Sequence, residues 1–364
     1  MLTCVDAFCG AGGLTLGLRQ AGLEVVHAFD NDEKAVETYR NNIGDHVQLQ
    51  SAYDVTGQDI LDVTGLNQID VFAGGPPCQG FSKQKRGAHR GDARNHLVLE
   101  FARLVSDLRP KIFLLENVAM FGHKRGRRFV ADIRELLTDY RLVPHFYNCA
   151  DYGLAQTRKR FIIVGQHRNL SGRFRPPAPT VKHWRTVGEA LADLPEPPLD
   201  YSDHPDFPNH QRARVTALNI ERFSHVPPGG GWQDIPEPLR LKCHQNVDTS
   251  RGGWPDVYGR LEANSQAPTI TGGFDSFTRG RYGHPSEDRP LTPREAARLQ
   301  GFPDWFVFSG TRYDIRTQIG NAVPPPLASA IGKSILLTLV SAGEVLSSTP
   351  EVDPYQPAQT TLSV

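Results

Sequence analysis

The sequence contains no apolar run of about 18 residues, the length at which a segment becomes a candidate for crossing a membrane. Its first residues also lack the basic and then apolar pattern of a secretory leader, because Met1 is followed directly by Leu-Thr-Cys-Val-Asp. We therefore expect a cytoplasmic protein without a membrane segment.

Cysteine is scarce and shows no pattern. The five cysteines form no Cys-x-x-Cys pair and, together with the histidines, no spacing typical of metal ligands. They are Cys4, Cys9, Cys78, Cys149 and Cys243. This odd, unpaired set favours reduced thiols, and we expect no metal site.

An excess of charge is also lacking, since 40 Lys and Arg balance 40 Asp and Glu. A neutral chain has no global attraction to nucleic acid, but its basic residues are concentrated in residues 83–94 and 158–175. A local basic cleft would still suit phosphate binding, although solvated basic faces would give the same pattern. The acidic tail, residues 343–364, has no basic residue, and we expect it to be disordered.

One thiol lies in an unusual loop. Residues 74–82 read Gly-Gly-Pro-Pro-Cys-Gln-Gly-Phe-Ser and follow the apolar run 69–73. Pro76 and Pro77 stiffen the loop, while the glycines allow a close approach of other groups. A cysteine after a buried strand is often a small core residue. This loop instead displays Cys78, which we interpret as a candidate nucleophile that needs a lowered pKa to act as thiolate.

The N-terminal region predicts a nucleotide-binding turn. Residues 2–8 read as a strand, followed by a glycine turn and a helix, which leaves backbone N–H groups for a polar ligand. Asp30 ends the second apolar strand and could accept hydrogen bonds from a ribose. The pattern favours an adenosine-containing cofactor, but the glycine spacing does not match a dinucleotide fingerprint.

Two further positions carry charged groups after or within predicted strands. The run 112–115 reads as a buried strand that delivers Glu116 to its carboxyl end, where functional groups of parallel sheets collect. Glu116 could therefore lie beside Cys78, or it could be a capping or solvated carboxylate. Arg158 and Arg160 alternate by two, so in an extended segment they would share one face suited to a phosphate or a base carbonyl.

The composition changes after residue 176. Residues 176–288 hold 15 of the 28 prolines and three of the four tryptophans, which predicts a second, loop-rich domain. Helical patterns return at 289–300, where Thr292 is a predicted N-cap, and in a final apolar helix near 327–340. That last helix needs a core, and the first domain is the nearest candidate.

Taken together, the motifs resemble those of the DNA cytosine-5 methyltransferase family of prokaryotic type along nearly the whole chain. Six blocks occur in the family's order, at residues 6–13, 75–79, 116–118, 156–160, 289–302 and 318–325. The resemblance implies an α/β fold with a mostly parallel, Rossmann-like sheet that uses S-adenosylmethionine. It also implies a catalytic domain of residues 1–180 completed by 285–342, and a target-recognition domain of residues 181–284.

The resemblance assigns roles by position. The residues expected to bind S-adenosylmethionine are Phe8, Gly10, Gly12, Asp30, Asp54, Pro77, Leu97, Asn321 and Val323. The catalytic residues expected are Cys78 as nucleophile, Glu116 as the carboxyl that holds cytosine, and Arg158 and Arg160 near the base and its phosphate. Ala7, Cys9 and Asp30 depart mildly from the commoner residues, and none of these departures removes a reacting group.

The implied substrate is double-stranded DNA, from which the target cytosine would be flipped, with Gln84 a candidate to fill the gap. We expect a monomer, associated with the nucleoid through DNA, whose genetic partner could be a restriction endonuclease. The alternatives are a tRNA cytosine methyltransferase, an inert sequence-specific DNA-binding regulator and a nicotinamide oxidoreductase.

Overall fold

A computed structural model of the chain describes residues 1–77, 96–123, 126–245 and 254–344. The described residues divide into two compact units. Unit 1 contains those of Met1–Tyr152, Lys159–Thr180 and the segment from Val323 onward, and unit 2 contains Gly153–Arg158 and those of Val181–Ala322.

Unit 1 is built on a seven-stranded sheet. The strands are β1 (Thr3–Ala7), β2 (Glu24–Asp30), β3 (Val47–Leu49), β4 (Val71–Gly74), β5 (Ile112–Val118), β6 (Tyr140–Asn148) and β7 (Lys159–His167). Their order across the sheet is β3-β2-β1-β4-β5-β7-β6. The first five run parallel, and β7 is antiparallel to both β5 and β6. This mostly parallel α/β sheet confirms the predicted fold class.

Helices of unit 1 connect and cover the strands. They are α1 (Gly13–Gln20), α2 (Glu33–Asn42), α3 (Gly57–Thr64), α4 (Leu97–Leu108), α5 (Arg127–Leu136) and α11 (Pro325–Ser341). Phe72 of β4 and Phe113 of β5 pack on Phe101 of α4, with ring centroids 5.0 and 6.1 Å away. Every residue of β4 is buried, as expected for a parallel strand covered on both faces.

Unit 2 has little regular structure, in agreement with its proline content. It holds α6 (Val187–Leu191), α7 (Ala217–Ser224), α8 (Lys242–Gln245), the short strands β8 (Gly259–Arg260) and β9 (Arg281–Gly283), α9 (Pro293–Leu299) and α10 (Arg312–Asn321). Thr292 caps α9 as predicted, because its Oγ1 accepts from Glu295 N at 3.2 Å while the Glu295 carboxylate accepts from Thr292 N at 2.8 Å.

The second boundary between the units differs from the prediction. Unit 2 begins its long segment at Val181, where the sequence placed a second domain, but the chain returns to unit 1 at Val323 rather than at 285. The reason is packing within unit 2, where Arg298 pairs with Asp193 and Asn209 bonds to the backbone of Phe308. Residues 285–322 are therefore held by their contacts in unit 2.

Among the described residues, one helical stretch, Arg312–Ser341, is long and apolar enough to pass as a membrane span by length and composition. Of its most apolar window, 61% is buried. Its C-terminal part, α11, packs along α1 inside unit 1. This is the pattern of a core helix.

The contact between α1 and α11 leaves no room for a side chain at Gly17. A Cβ there would lie 2.4 Å from the Ala328 Cβ and 2.4 Å from the Pro325 carbonyl oxygen. We expect Gly17→Ala to lower the free energy of unfolding by roughly 1–3 kcal/mol through overpacking, although alanine normally favours a helix. Urea denaturation measures the change. Lys333→Ala, on the exposed side of α11, is the control, and an equal stability of both variants would contradict the packing argument.

Candidate active site

Two of the predicted site residues, Phe8 and Glu116, lie at the edge of the sheet where the order of the parallel strands reverses. β1 and β4 are neighbours, and their connections leave toward opposite sides of the sheet. Phe8 follows β1, Gly75 follows β4, and Glu116 lies near the carboxyl end of β5. In open α/β sheets this edge is where ligands bind.

The loop after β1 forms the predicted glycine turn. Phe8, Gly10 and Gly12 have φ values of 57°, 53° and 95°, and α1 begins at Gly13. A Cβ on Gly12 would lie only 2.2 Å from the Ile43 Cδ1, so the position accepts no side chain. The turn thus brings bare backbone to the start of α1, which suits a polar ligand.

Asp30 is tied directly to that turn. Its Oδ2 accepts from Gly10 N at 2.8 Å and its Oδ1 accepts from Asp32 N at 2.9 Å. Burial raises the pKa of the Asp30 carboxyl, while the two backbone donors oppose that rise. Each carboxylate oxygen has a second acceptor site, so the carboxylate could still bind a ribose hydroxyl.

Sequence patterns alone did not single out another acid near this turn, the fully buried Asp6. It lies in β1, and its Oδ2 accepts from Thr15 Oγ1 at 2.6 Å. Its Oδ1 is buried without a partner among the described residues. Burial raises the pKa of Asp6 to about 7. An acid inside the apolar run 2–8 was the signal that could have revealed it.

These features fit an adenosine cofactor with a charged amino-acid part. The turn offers backbone N–H groups, Asp30 offers carboxylate oxygens, and the unpaired oxygen of Asp6 offers an acceptor for an ammonium group. The residues present therefore suit S-adenosylmethionine, with each requirement met by a separate group.

The other predicted cofactor residues are placed less uniformly. Leu97 begins α4 and packs, with Phe8, on the apolar core of unit 1. Val323 lies near the chain after β4, since its Cγ2 would be 3.7 Å from a Cβ on Gly75. Asp54 is exposed after β3, and Pro77 is the last described residue before the gap. Asn321 is the last residue of α10 and belongs to unit 2.

Glu116 and Arg160 form a buried ion pair. In the antiparallel pairing of β5 and β7, Val118 is opposite Arg160 and Glu116 is opposite Ile162, so Glu116 and Arg160 are diagonal neighbours on one face. Glu116 Oε1 lies 2.7 Å from Arg160 Nε, and the residues are 8% and 7% exposed. The Nε–H has no well-aligned acceptor among the described residues, so the contact is electrostatic rather than an ideal hydrogen bond.

The chain that leads to Cys78 passes directly beside this pair. Asn117 Nδ2 donates to the Pro76 carbonyl oxygen at 3.1 Å, and a Cβ on Gly75 would lie 3.1 Å from Glu116 Oε2. A side chain at position 75 would therefore crowd the Glu116 carboxylate, which would have to shift by a few tenths of an ångström. Cys78 itself, and Gln84, lie outside the described residues.

Arg158 has a different environment from Arg160. It belongs to unit 2 and is 1% exposed. Its Nη1 donates to the Ile270 carbonyl at 2.8 Å, and its Nη2 donates to the carbonyls of Gly320 and Ala322 at 2.9 and 3.1 Å. Arg158 thus uses its terminal nitrogens to hold backbone, and its expected place near the base and its phosphate stays a prediction. These contacts favour a positioning role.

Comparisons with known proteins match nearly the whole chain to DNA methyltransferases. A family model described as C-5 cytosine-specific DNA methylase matches residues 2–337. Type II methylase M.HgiDII of Herpetosiphon aurantiacus is 34% identical over 341 residues, covering 91% of this chain and 94% of its own. Type II methyltransferase M.BbvI of Brevibacillus brevis is 37% identical over 356 residues, which cover 92% of this chain and 90% of the relative. A solved structure described as a DNA modification methyltransferase encoded within an E. coli prophage is 28% identical, with a TM-score of 0.70, covering 93% of this chain and 100% of its own.

The Asp6 carboxyl predicts a pH-dependent stability. The ordinary pKa of an aspartate is 3.8, whereas that of Asp6 in the folded protein is about 7, so the folded state binds the proton more tightly than the unfolded state. Protonation of Asp6 therefore stabilises the folded state fully below about pH 4, and this contribution is lost as the pH rises through about 7. We expect the stability of Asp6→Asn relative to the natural protein to increase over that range, as measured by urea denaturation without cofactor.

Asp30 titrates in both proteins, and because its charge helps to raise the pKa of Asp6, the difference reports the Asp6 carboxyl together with that interaction. Parallel pH profiles of the two proteins would show that the Asp6 carboxyl is not held in its protonated form.

Proposed function

Because the chain belongs to the C-5 cytosine-specific DNA methylase family and is a DNA (cytosine-5) methyltransferase, we propose that it methylates carbon 5 of cytosine within a specific double-stranded DNA sequence. The methyl donor in this proposal is S-adenosylmethionine. The observation that carries the proposal is the Glu116–Arg160 pair, which borders the segment leading to Cys78.

The chemistry requires a nucleophile, because carbon 5 of cytosine is itself unreactive. The Cys78 thiolate adds to carbon 6, and the electron pair of the 5,6 double bond becomes available at carbon 5. Held at the glycine turn and by Asp30, S-adenosylmethionine would supply an electrophilic methyl group, and carbon 5 would bond to this methyl as its bond to sulfur breaks. Loss of the carbon 5 proton then restores the double bond and expels the Cys78 thiolate.

Glu116 and Arg160 would stabilise the ring while the thiolate is attached. Addition pushes negative charge toward ring nitrogen 3 and the carbonyl oxygen. A protonated Glu116 can donate to nitrogen 3 and accept from the exocyclic amine, and the Arg160 guanidinium can donate to the carbonyl oxygen. Their separation of 2.7 Å supports a joint action on one small ring.

The cofactor would lie along the carboxyl edge of the sheet. Gly10 and Gly12 give close access to backbone, Asp30 would bind the ribose, and Asp6 would accept from the ammonium group. Phe8, Asp54, Pro77, Leu97, Asn321 and Val323 remain the proposed further contacts.

The reacting ring atoms are inaccessible inside a stacked duplex, so the proposal includes extrusion of the cytosine from the helix. Gln84 remains a candidate to occupy the space left behind. Unit 2 would supply the recognition of the target sequence. We further infer a cytoplasmic monomer that works on chromosomal DNA, with a restriction endonuclease as genetic partner, which the Type II names of the relatives support.

The nucleophile is tested by Cys78→Ala. We expect methyl transfer from labelled S-adenosylmethionine to duplex DNA to be abolished, because the covalent step is lost, while S-adenosylhomocysteine still binds in calorimetry. Cys243→Ala, at an exposed thiol of unit 2, should keep the activity of the natural protein. Appreciable turnover by Cys78→Ala would remove the nucleophile assignment. Bisulfite sequencing of host DNA would report the methylated sequence at the same time.

The carboxyl is tested by Glu116→Gln. Glutamine keeps the size of the side chain but cannot deliver a proton to nitrogen 3, so single-turnover methylation should slow by more than roughly tenfold. Cofactor affinity should change little. Glu135→Gln on the exposed face of α5 serves as the charge control. Rates equal to those of the control would leave Glu116 with only a structural role.

A further inference from the structure

Unit 2 contains a cleft of about 450 Å³ that the catalytic chemistry does not use. Its polar lining is dominated by arginines. The cleft is bordered by five charged residues, Arg212, Arg214, Asp275, Arg312 and Arg316, and by Tyr201. Four guanidinium groups thus surround a space in which the lining offers a single carboxylate, although the whole chain is neutral.

The charge of Arg212 is already compensated. Its Nη2 pairs with Glu196 and lies 3.6 Å from Glu287, and its Nε donates to the Pro197 carbonyl. Arg212 therefore contributes to the lining but adds no net charge, and the excess positive charge of the cleft must come from the other three arginines.

Arg312 and Arg316 share one counter-ion. Asp275 accepts from Arg312 Nε at 2.9 Å and from Arg316 Nη1 at 3.0 Å, so one negative charge faces two positive charges. Arg312 Nη2 and Arg316 Nε are buried without an acceptor among the described residues. Arg312 Nη1 also donates to the carbonyls of Gln211 and Arg212, so the pair is held rigidly, and what it presents to the cleft is an excess of one positive charge.

Arg214 presents its charge to solvent. It is exposed, and its guanidinium lies 4.7 Å from the centre of the Tyr201 ring, a stacking that orients the planar group. The part of the chain that the structure describes places no carboxylate within ion-pair distance of it. The Tyr201 carbonyl is itself fixed by Gln211 Nε2 at 2.5 Å.

We propose that Arg214, Arg312 and Arg316 form a binding site for the phosphodiester backbone of duplex DNA. Guanidinium groups match phosphate oxygens in shape and charge, and an excess of positive charge on rigid side chains is the requirement for such a contact. The inference rests on the proposed function, which makes duplex DNA the substrate. A backbone contact would fix the register of the duplex on unit 2 without reading its sequence.

Salt dependence distinguishes such a contact from other roles. Binding of a mixed-sequence DNA duplex is measured by fluorescence anisotropy at several salt concentrations, for the natural protein, Arg214→Gln, Arg316→Gln and the double variant. Each single change should weaken binding by roughly three- to tenfold. Log affinity falls as log salt rises, and each single change should reduce the magnitude of this negative slope by about one, whereas the double variant should reduce it by about two.

Two further variants serve as matched tests. Arg109→Gln removes the same charge at the amino-terminal edge of the sheet, where the side chain is 63% exposed, and should leave affinity and slope unchanged. Arg214→Lys keeps the charge and should restore most of the slope lost in Arg214→Gln. Since Arg214 is exposed, its variants do not endanger folding, and circular dichroism confirms this for each protein.

Three results would overturn the proposal. One is a slope for the double variant equal to that of Arg109→Gln. Another is failure of Arg214→Lys to recover any of the slope. The third is stabilisation by inorganic phosphate that the double variant loses while its DNA affinity stays unchanged, which would identify a small-anion site. Methyl transfer by the natural protein is measured in parallel, so a failure of the proposed function is recognised separately.

Discussion

The pairing of β5 with β7 is the constraint on which the candidate site depends. Only in the observed antiparallel register do Glu116 and Arg160 become diagonal neighbours on one face of the sheet. A shift by one residue would turn one of them to the other face. The pair is buried, and removing either partner would leave an uncompensated charge at a cost of roughly 3–5 kcal/mol. Two opposite charges held in this way are the feature on which the proposed stabilisation of the cytosine ring depends.

The same sheet organises the cofactor side. The reversal of strand order between β1 and β4 opens the carboxyl edge, and the glycine turn after β1 fills it with backbone rather than side chains. Asp30 secures the turn through Gly10, and Asp6 of β1 keeps one carboxylate oxygen without a hydrogen-bond partner among the described residues. The proposed contact with the ammonium group of the cofactor depends on this oxygen.

The block of residues 156–160 shows how one short motif serves both units. Gln156 and Arg158 belong to unit 2, where Gln156 accepts from Ile270 N at 2.7 Å and Arg158 holds the backbone of 320 and 322. Arg160, two residues further, belongs to β7 and to the Glu116 pair. The alternation of arginines was visible in the sequence, but it did not show that Arg158 contacts backbone carbonyls while Arg160 contacts the Glu116 carboxylate. The motif gives the spacing of the two arginines but does not predict which groups each guanidinium contacts.

The sequence by itself determined the family, the α/β class, the glycine turn with Asp30, the capped helix at Thr292 and the position of Glu116 at a strand end. These follow from local patterns, since turns, caps and buried runs are set by neighbouring residues. Tertiary structure decided the Glu116–Arg160 contact, the burial of Asp6, the carbonyl contacts of Arg158 and the return of the chain to unit 1 at Val323. Each of these joins segments far apart in the chain, and packing in three dimensions alone selects which distant groups meet.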